Sequence, residues 1–149
     1  MGASIACRDN RVELAAEIAL ASRRWRKLVD EKLRVYGLTH SRWQVLVELA
    51  AAPYGLNQRE LADRLAIEPA SLVGQLDALQ TQGLVERSAA PGDRRANLVR
   101  LTPAAEALAS DVSVLVNSLR QRATSGLADR DLAMAAEVLR KIQANLEWE

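Results

Sequence analysis

The run from Asn57 to Gly83, NQRELADRLAIEPASLVGQLDALQTQG, constrains the fold more than any other stretch. Asn57 is placed to cap a helix, Glu60 closes a capping box with it, and Leu56 and Leu61 form a hydrophobic staple. That helix is short, with Leu61, Ala62 and Leu65 inward and an end near Ala66. Ile67-Glu68-Pro69 follows at once, and Pro69 suits the first position of a new helix. Two helices therefore meet across a minimal turn, which is a helix-turn-helix.

On the second of these helices Leu72, Val73, Leu76 and Leu79 fall on one side. Ala70, Ser71, Gly74, Asp77, Ala78 and Thr81 fall on the other, with Gln75 at the edge. A face of small residues permits close approach to a groove. Gly74 in mid-helix costs about 1 kcal/mol relative to Ala, so it either serves close contact or is tolerated by packing. Gly83 ends the helix. Leu84–Arg87 reads as one strand and Asn97–Leu101 alternates as a second. Between them Ala90-Pro91-Gly92-Asp93-Arg94-Arg95 makes a turn with two adjacent cations. A hairpin after a helix-turn-helix is a winged helix-turn-helix, so the expected class is mainly α with a small β-wing.

The flanks are helical. From Arg11 to Tyr36, residues Leu14, Ile18, Ala21, Trp25, Leu28, Val29, Leu33 and Tyr36 recur at three- and four-residue steps, and Gly37 is a plausible stop. Its polar side carries Arg23, Arg24, Arg26, Lys27, Lys32 and Arg34 against Asp30 and Glu31, either a solvated face or a basic surface in use. Thr39 caps a second helix, with Leu38 and Trp43 as staple and Trp43, Leu46, Val47 and Ala50 as its buried stripe. After the hairpin, Thr102-Pro103 starts a long helix to about Thr124, with Leu108, Val112, Leu115 and Leu119 in register. A final helix from about Asp129 aligns Leu132, Ala136, Leu139, Ile142 and Leu146. Terminal helices this apolar need a partner, and symmetric dimerisation is the simplest supply. The whole, 1–149, reads as a single domain: dimerisation helices at 11–36 and 103–148, and the winged part at 39–102.

Composition excludes several classes. One His and one Cys, with no nucleophile–base logic, no phosphate-binding glycine loop and no metal-ligand cluster, leave no catalytic site, no metal site and no cofactor site. The pair Asp129 and Asp131 is explained by the helix dipole. No apolar run approaches the roughly 18 residues of a membrane span, and a lone Cys suits a reducing cytoplasm. The net charge of +1 does not itself suggest nucleic acid. From Asn57 to Thr102 the bases Arg59, Arg64, Arg87, Arg94, Arg95 and Arg100 are matched one for one by Glu60, Asp63, Glu68, Asp77, Glu86 and Asp93. Binding would then depend on where the charges sit, and on the basic residues of the first helix.

The run Asp93-x-Arg95-x-x-x-Val99-x-Leu101-Thr102 resembles the wing signature of the MarR family of bacterial transcription regulators. Leu38-Thr39 with Trp43, the run Ile67-Glu68-Pro69-Ala70-Ser71-Leu72-Val73, and Leu76-Asp77-x-Leu79 look like its SlyA-like branch, as do Trp25-Arg26 and Asp30. The similarity spans about residues 11 to 147. It implies a triangular homodimer whose first, fifth and sixth helices interlock, usually a repressor, on a pseudo-palindromic double-stranded DNA operator. Half-sites about one helical turn apart suit a two-fold protein. It also implies that Arg95 enters the minor groove, Asp93 orients it and Arg94 touches phosphate; a guanidinium suits a narrow, electronegative groove. On the recognition helix Ser71 and Gln75 are candidates for base or phosphate contact and Ala70 for a thymine methyl. SlyA-like proteins commonly carry Arg where this chain has Gly74, so the resemblance does not carry a strong guanine contact over to this position, nor its relatives' preferred operator.

Family members often respond to small aromatic carboxylates or phenols bound between the dimerisation helices and the winged part. Trp25, Tyr36, His40 and Trp43 could supply rings for such an effector, and Arg26 and Arg42 could supply cations. Trp25 and Trp43 also sit on apolar stripes, where they read as core, and His40 reads as a surface residue of a first helical turn. Cys7 raises a thiol-based redox sensor as an alternative, but such sensors need a lowered thiol pKa and tyrosines nearby. Tyr36 and Tyr54 do not match that spacing. The other alternative is a winged helix used for protein contact, as an interaction or adaptor module.

Overall fold

The computed structural model describes residues 9–90 and 93–147; the side chains of residue 90 and residues 93–96 lie outside the description. Among the described residues six α-helices and three strands follow in the order α1 (Asn10–Leu33), α2 (His40–Ala50), β1 (Leu56–Asn57), α3 (Gln58–Leu65), α4 (Pro69–Thr81), β2 (Val85–Ala90), β3 (Asp93–Leu101), α5 (Pro103–Ala123) and α6 (Asp129–Leu146). A single 3-10 turn, Arg34–Tyr36, ends α1. The chain divides into two compact units, Met1–Val112 and Ser113–Glu149.

Local chemistry sets most helix ends in the first unit. Gly37 takes a left-handed φ of 67°, which lets its N–H and that of Leu38 turn back onto the Arg34 and Leu33 carbonyls. The Asp30 carboxylate accepts the backbone N–H of His40, so α1 satisfies one of the orphan donors that begin α2. Thr39 caps the same end through Arg42 N–H at 3.3 Å. The Asn57–Glu60 capping box forms with both bonds at 2.9 Å. Pro69 sits in the first turn of α4. The turn between α3 and α4 runs through Ala66 at φ 51°, a left-handed value for a residue with a Cβ. Ala66 and Ile67 donate to the Asp63 and Ala62 carbonyls and hold it there.

The core of this unit gathers Val29 and Leu33 from α1, Trp43, Val45, Leu46 and Leu49 from α2, Leu61 from α3, and Leu72, Leu76 and Leu79 from α4. Val85 and Val99 close it from the sheet. The α2 stripe differs from the periodic reading: Val45 and Leu49 are buried, while Val47 is 40% exposed. α2 is touched by α1, α3, α4 and β3, so its covered face is broader than a single stripe and turned away from Val47. Val73, expected inward, is 43% exposed. It lies at the rim of the stripe that carries Leu72 and Leu76.

The sheet has strand order β1-β3-β2, antiparallel throughout. β2 pairs with β3 from Val85↔Leu101 to Ala89↔Asn97, and the register slips between Ala89 and Ala90. The strands extend further toward the tip than the sequence pattern indicates. β1, unforeseen in the sequence, adds Leu56↔Val99 and Asn57↔Leu98. Thr102 ties the base of the wing to α5, donating to the Gly83 carbonyl at 2.7 Å and accepting Ala105 N–H at 3.3 Å.

In the second unit Val116 and Leu119 of α5 are buried. α6 buries none of its residues within the chain. Its apolar face leaves Leu139 39% and Leu146 74% exposed. Among the described residues no helix is long and apolar enough to cross a membrane.

Candidate nucleic-acid interface

The inward side of α4 is fixed by Leu72, Leu76 and Leu79, all without measurable exposure. With a 3.6-residue period, this leaves Ala70, Gly74, Asp77 and Thr81 on one outward line, and Ala70, Ser71, Gly74, Asp77 and Thr81 are exposed. A Cβ built on Gly74 meets nothing within 4 Å. Packing inside this chain therefore does not require glycine at this position, and a side chain would fit there. Gln75 is half-buried, and its Oε1 lacks a hydrogen-bond partner among the described residues. α4 carries no Lys or Arg, and Asp77 is its one charged residue.

Asp77 is not free. Arg87 on β2 reaches across with Nη2 2.8 Å from Asp77 Oδ1 and Nη1 2.8 Å from Gln80 Oε1. Sequence reasoning had not singled out Arg87. Strand parity could have found it: Val85 is buried, so Arg87, two residues on, must face the same side, toward α4. A second unforeseen link joins Gln82, the last cap of α4, to the Gly37 carbonyl at 2.9 Å. That bond ties the end of α4 to the corner between α1 and α2.

Pro91 and Gly92 lie outside the described residues. The backbone of Asp93, Arg94 and Arg95 begins β3, but their side chains are outside the description, so the expected roles of these residues carry over as proposals. Cys7 also lies outside it. On α1, Arg23, Arg24, Arg26 and Lys27 are exposed, and none makes an ion pair among the described residues.

Of the residues proposed for a ligand pocket, Trp43 belongs to the core at 5% exposure. Trp25, Tyr36, His40 and Arg42 are half-buried and Arg26 is exposed. Tyr36, His40 and Arg42 share the α1–α2 corner that Asp30 and Thr39 hold together. A separate cavity of about 310 Å³ lies between the end of α2, β3 and the start of α5, lined by Leu49, Pro53, Arg100, Leu101 and Glu106 among others. None of the six sequence-proposed residues lines it.

A family model described as MarR family matches residues 36–96. The fold matches solved winged-helix regulators over most of its length. A transcriptional regulator designated PA3341 is 38% identical, the match covering 91% of this chain and 99% of that one, with a TM-score of 0.82. The E. coli MarR, solved as a cysteine-to-serine mutant complexed with operator DNA, is 28% identical over 89% of this chain and 95% of its own, TM-score 0.82. CouR from Rhodococcus jostii RHA1, bound to p-coumaroyl-CoA, is 26% identical over 91% of this chain and 95% of its own, again at 0.82.

Proposed function

Because the chain belongs to the MarR family of transcriptional regulators, we propose that it is a cytoplasmic, sequence-specific double-stranded DNA-binding regulator, acting as a homodimeric repressor. The observation that carries this is the outward line of α4. It is exposed and has no packing partner of its own around Gly74, on the second helix of a helix-turn-helix, the element that enters a major groove in such folds. Ala70, Ser71, Gly74 and Gln75 read or approach the bases. Arg95 enters the minor groove, steadied by Asp93, and Arg94 meets phosphate. The likeness to an operator-bound MarR supports this reading.

The apolar face of α6, unburied in the single chain, supports pairing of two copies through their terminal helices. A two-fold dimer then fits an inverted-repeat operator. The SlyA-like assignment rests on the segments around Leu38, Trp43 and Ile67–Val73, with Gly74 as its departure. A small aromatic carboxylate or phenol is the proposed effector, bound near the α1–α2 corner with Trp25, Tyr36, His40 and Trp43 as ring surfaces and Arg26 and Arg42 as cations. The likeness to a p-coumaroyl-CoA complex supports an aromatic ligand class.

Selection of bound fragments from random DNA, repeated with Arg95→Ala, tests the reading. The parent should enrich an inverted repeat and the variant should bind it far more weakly while keeping its oligomeric state. No enrichment would favour a winged helix used for protein contact, and equal binding by the two to an enriched repeat would take Arg95 out of the interface.

A further inference from the structure

Arg87 stands where its charge is already spent. Its strand neighbour Val85 is 2% exposed and its cross-strand partner Val99 is fully buried, so the root of the side chain rests on the core. The guanidinium engages Asp77 and Gln80, three residues apart on α4, each at 2.8 Å. Its Nε is buried with no hydrogen-bond partner among the described residues, so the two terminal nitrogens alone hold it. The Arg87 side chain is 23% exposed and that of Asp77 59%. Two fixed points on one helix and one on a strand define a diagonal brace, and the planar fork of Arg suits a two-point hold better than a single ammonium.

We propose that Arg87 is a positioning residue for DNA recognition. By gripping Asp77 and Gln80 it sets the angle between α4 and the hairpin, so that helix and wing tip engage one duplex together. It also neutralises the one anionic side chain on the DNA-facing helix. The proposal rests on the DNA reading above. It differs from a direct phosphate contact, because the charge that phosphate would need is committed inside the protein.

The sign of one substitution separates the two effects. Asp77→Asn removes a negative charge from a surface facing phosphates, which by charge alone tightens binding. Loss of the brace weakens it. We expect Asp77→Asn and Arg87→Lys each to weaken binding to a fluorescein-labelled duplex recovered by selection, by about tenfold, the size of one charge-assisted hydrogen bond lost. In the Arg95→Ala background the same changes should have little further effect, because a wing without its groove contact gains nothing from being aimed. Independent contacts would instead add. Thermal unfolding and sedimentation of each variant separate a folding defect from a binding one, and Asp77→Asn, the closest in shape, carries the argument if Arg87→Lys fails to fold.

Tighter binding by Asp77→Asn, or additive losses in the Arg95→Ala background, would overturn the brace while leaving the DNA reading intact. An Arg95→Ala variant that binds as the parent does would take the wing tip out of recognition and overturn the brace with it, whereas a parent that enriches no duplex would remove the DNA reading itself.

Discussion

Arg100 donates its Nε hydrogen to the backbone carbonyl of Tyr54 at 3.0 Å, joining β3 to the loop that leaves α2. The residue after Tyr54 is Gly55 at φ 85°. A Cβ there would lie 2.7 Å from Arg100 Cγ and 2.9 Å from the Val99 carbonyl oxygen. The loop thus needs a residue that tolerates the left-handed region and has no side chain. Gly55→Ala should destabilise the fold by about 1–3 kcal/mol, read as a lowered urea midpoint. An unchanged midpoint would mean the loop relaxes freely.

Asn57 serves two elements at once. It pairs with Leu98 as the end of β1, and it exchanges two bonds of 2.9 Å with Glu60 as the cap of α3. Asn57→Ala should cost about 1 kcal/mol of stability, and Asn57→Asp, which keeps the acceptor, much less. A loss that is equal in both would point to the strand pairing and not the cap.

Gly74 offers a test in the opposite direction. With open space around its Cβ, Gly74→Ala should raise stability by about 0.5–1 kcal/mol through helix propensity. If the glycine serves close approach to a groove, the same change should leave folding improved and operator affinity reduced. Gly74→Arg should fold equally well and move the selected sequence toward guanine, whose O6 and N7 a guanidinium contacts in two bonds. No shift in selected sequence would place this position away from the bases.

Leu132, Leu139, Ile142 and Leu146 share one face of α6, with Leu139 and Leu146 exposed in the single chain. If two copies pair through this face as proposed, Leu139→Glu should leave a monomer by sedimentation and weaken operator binding with it. A variant that remains dimeric would mean that α6 is not the joining surface.

The helix boundaries were legible in the sequence because capping is local: Thr39, Asn57 with Glu60, Pro69, Thr102 and Gly37 each act on backbone groups within a few residues. The helix-turn-helix and hairpin followed from them, as did the outward line of Ala70, Ser71 and Gly74. β1 was not legible, since two residues carry no strand periodicity and pair only because β3 presents an open edge. The exposure of Val47 and Val73 was decided by which neighbouring elements cover α2 and α4, and periodicity cannot tell a helix with one partner from a helix with four.

Sequence alone determined the six helices, their order with the hairpin and the small-residue outward face of α4, because propensity, caps and alternation act over a few residues. Only the tertiary structure decided that Arg87 belongs to Asp77 and Gln80, that Gln82 holds Gly37, and that no residue of α6 is fully buried. Those contacts join residues that are distant in sequence or lie on different elements, and they exist only once packing has set the distances between elements.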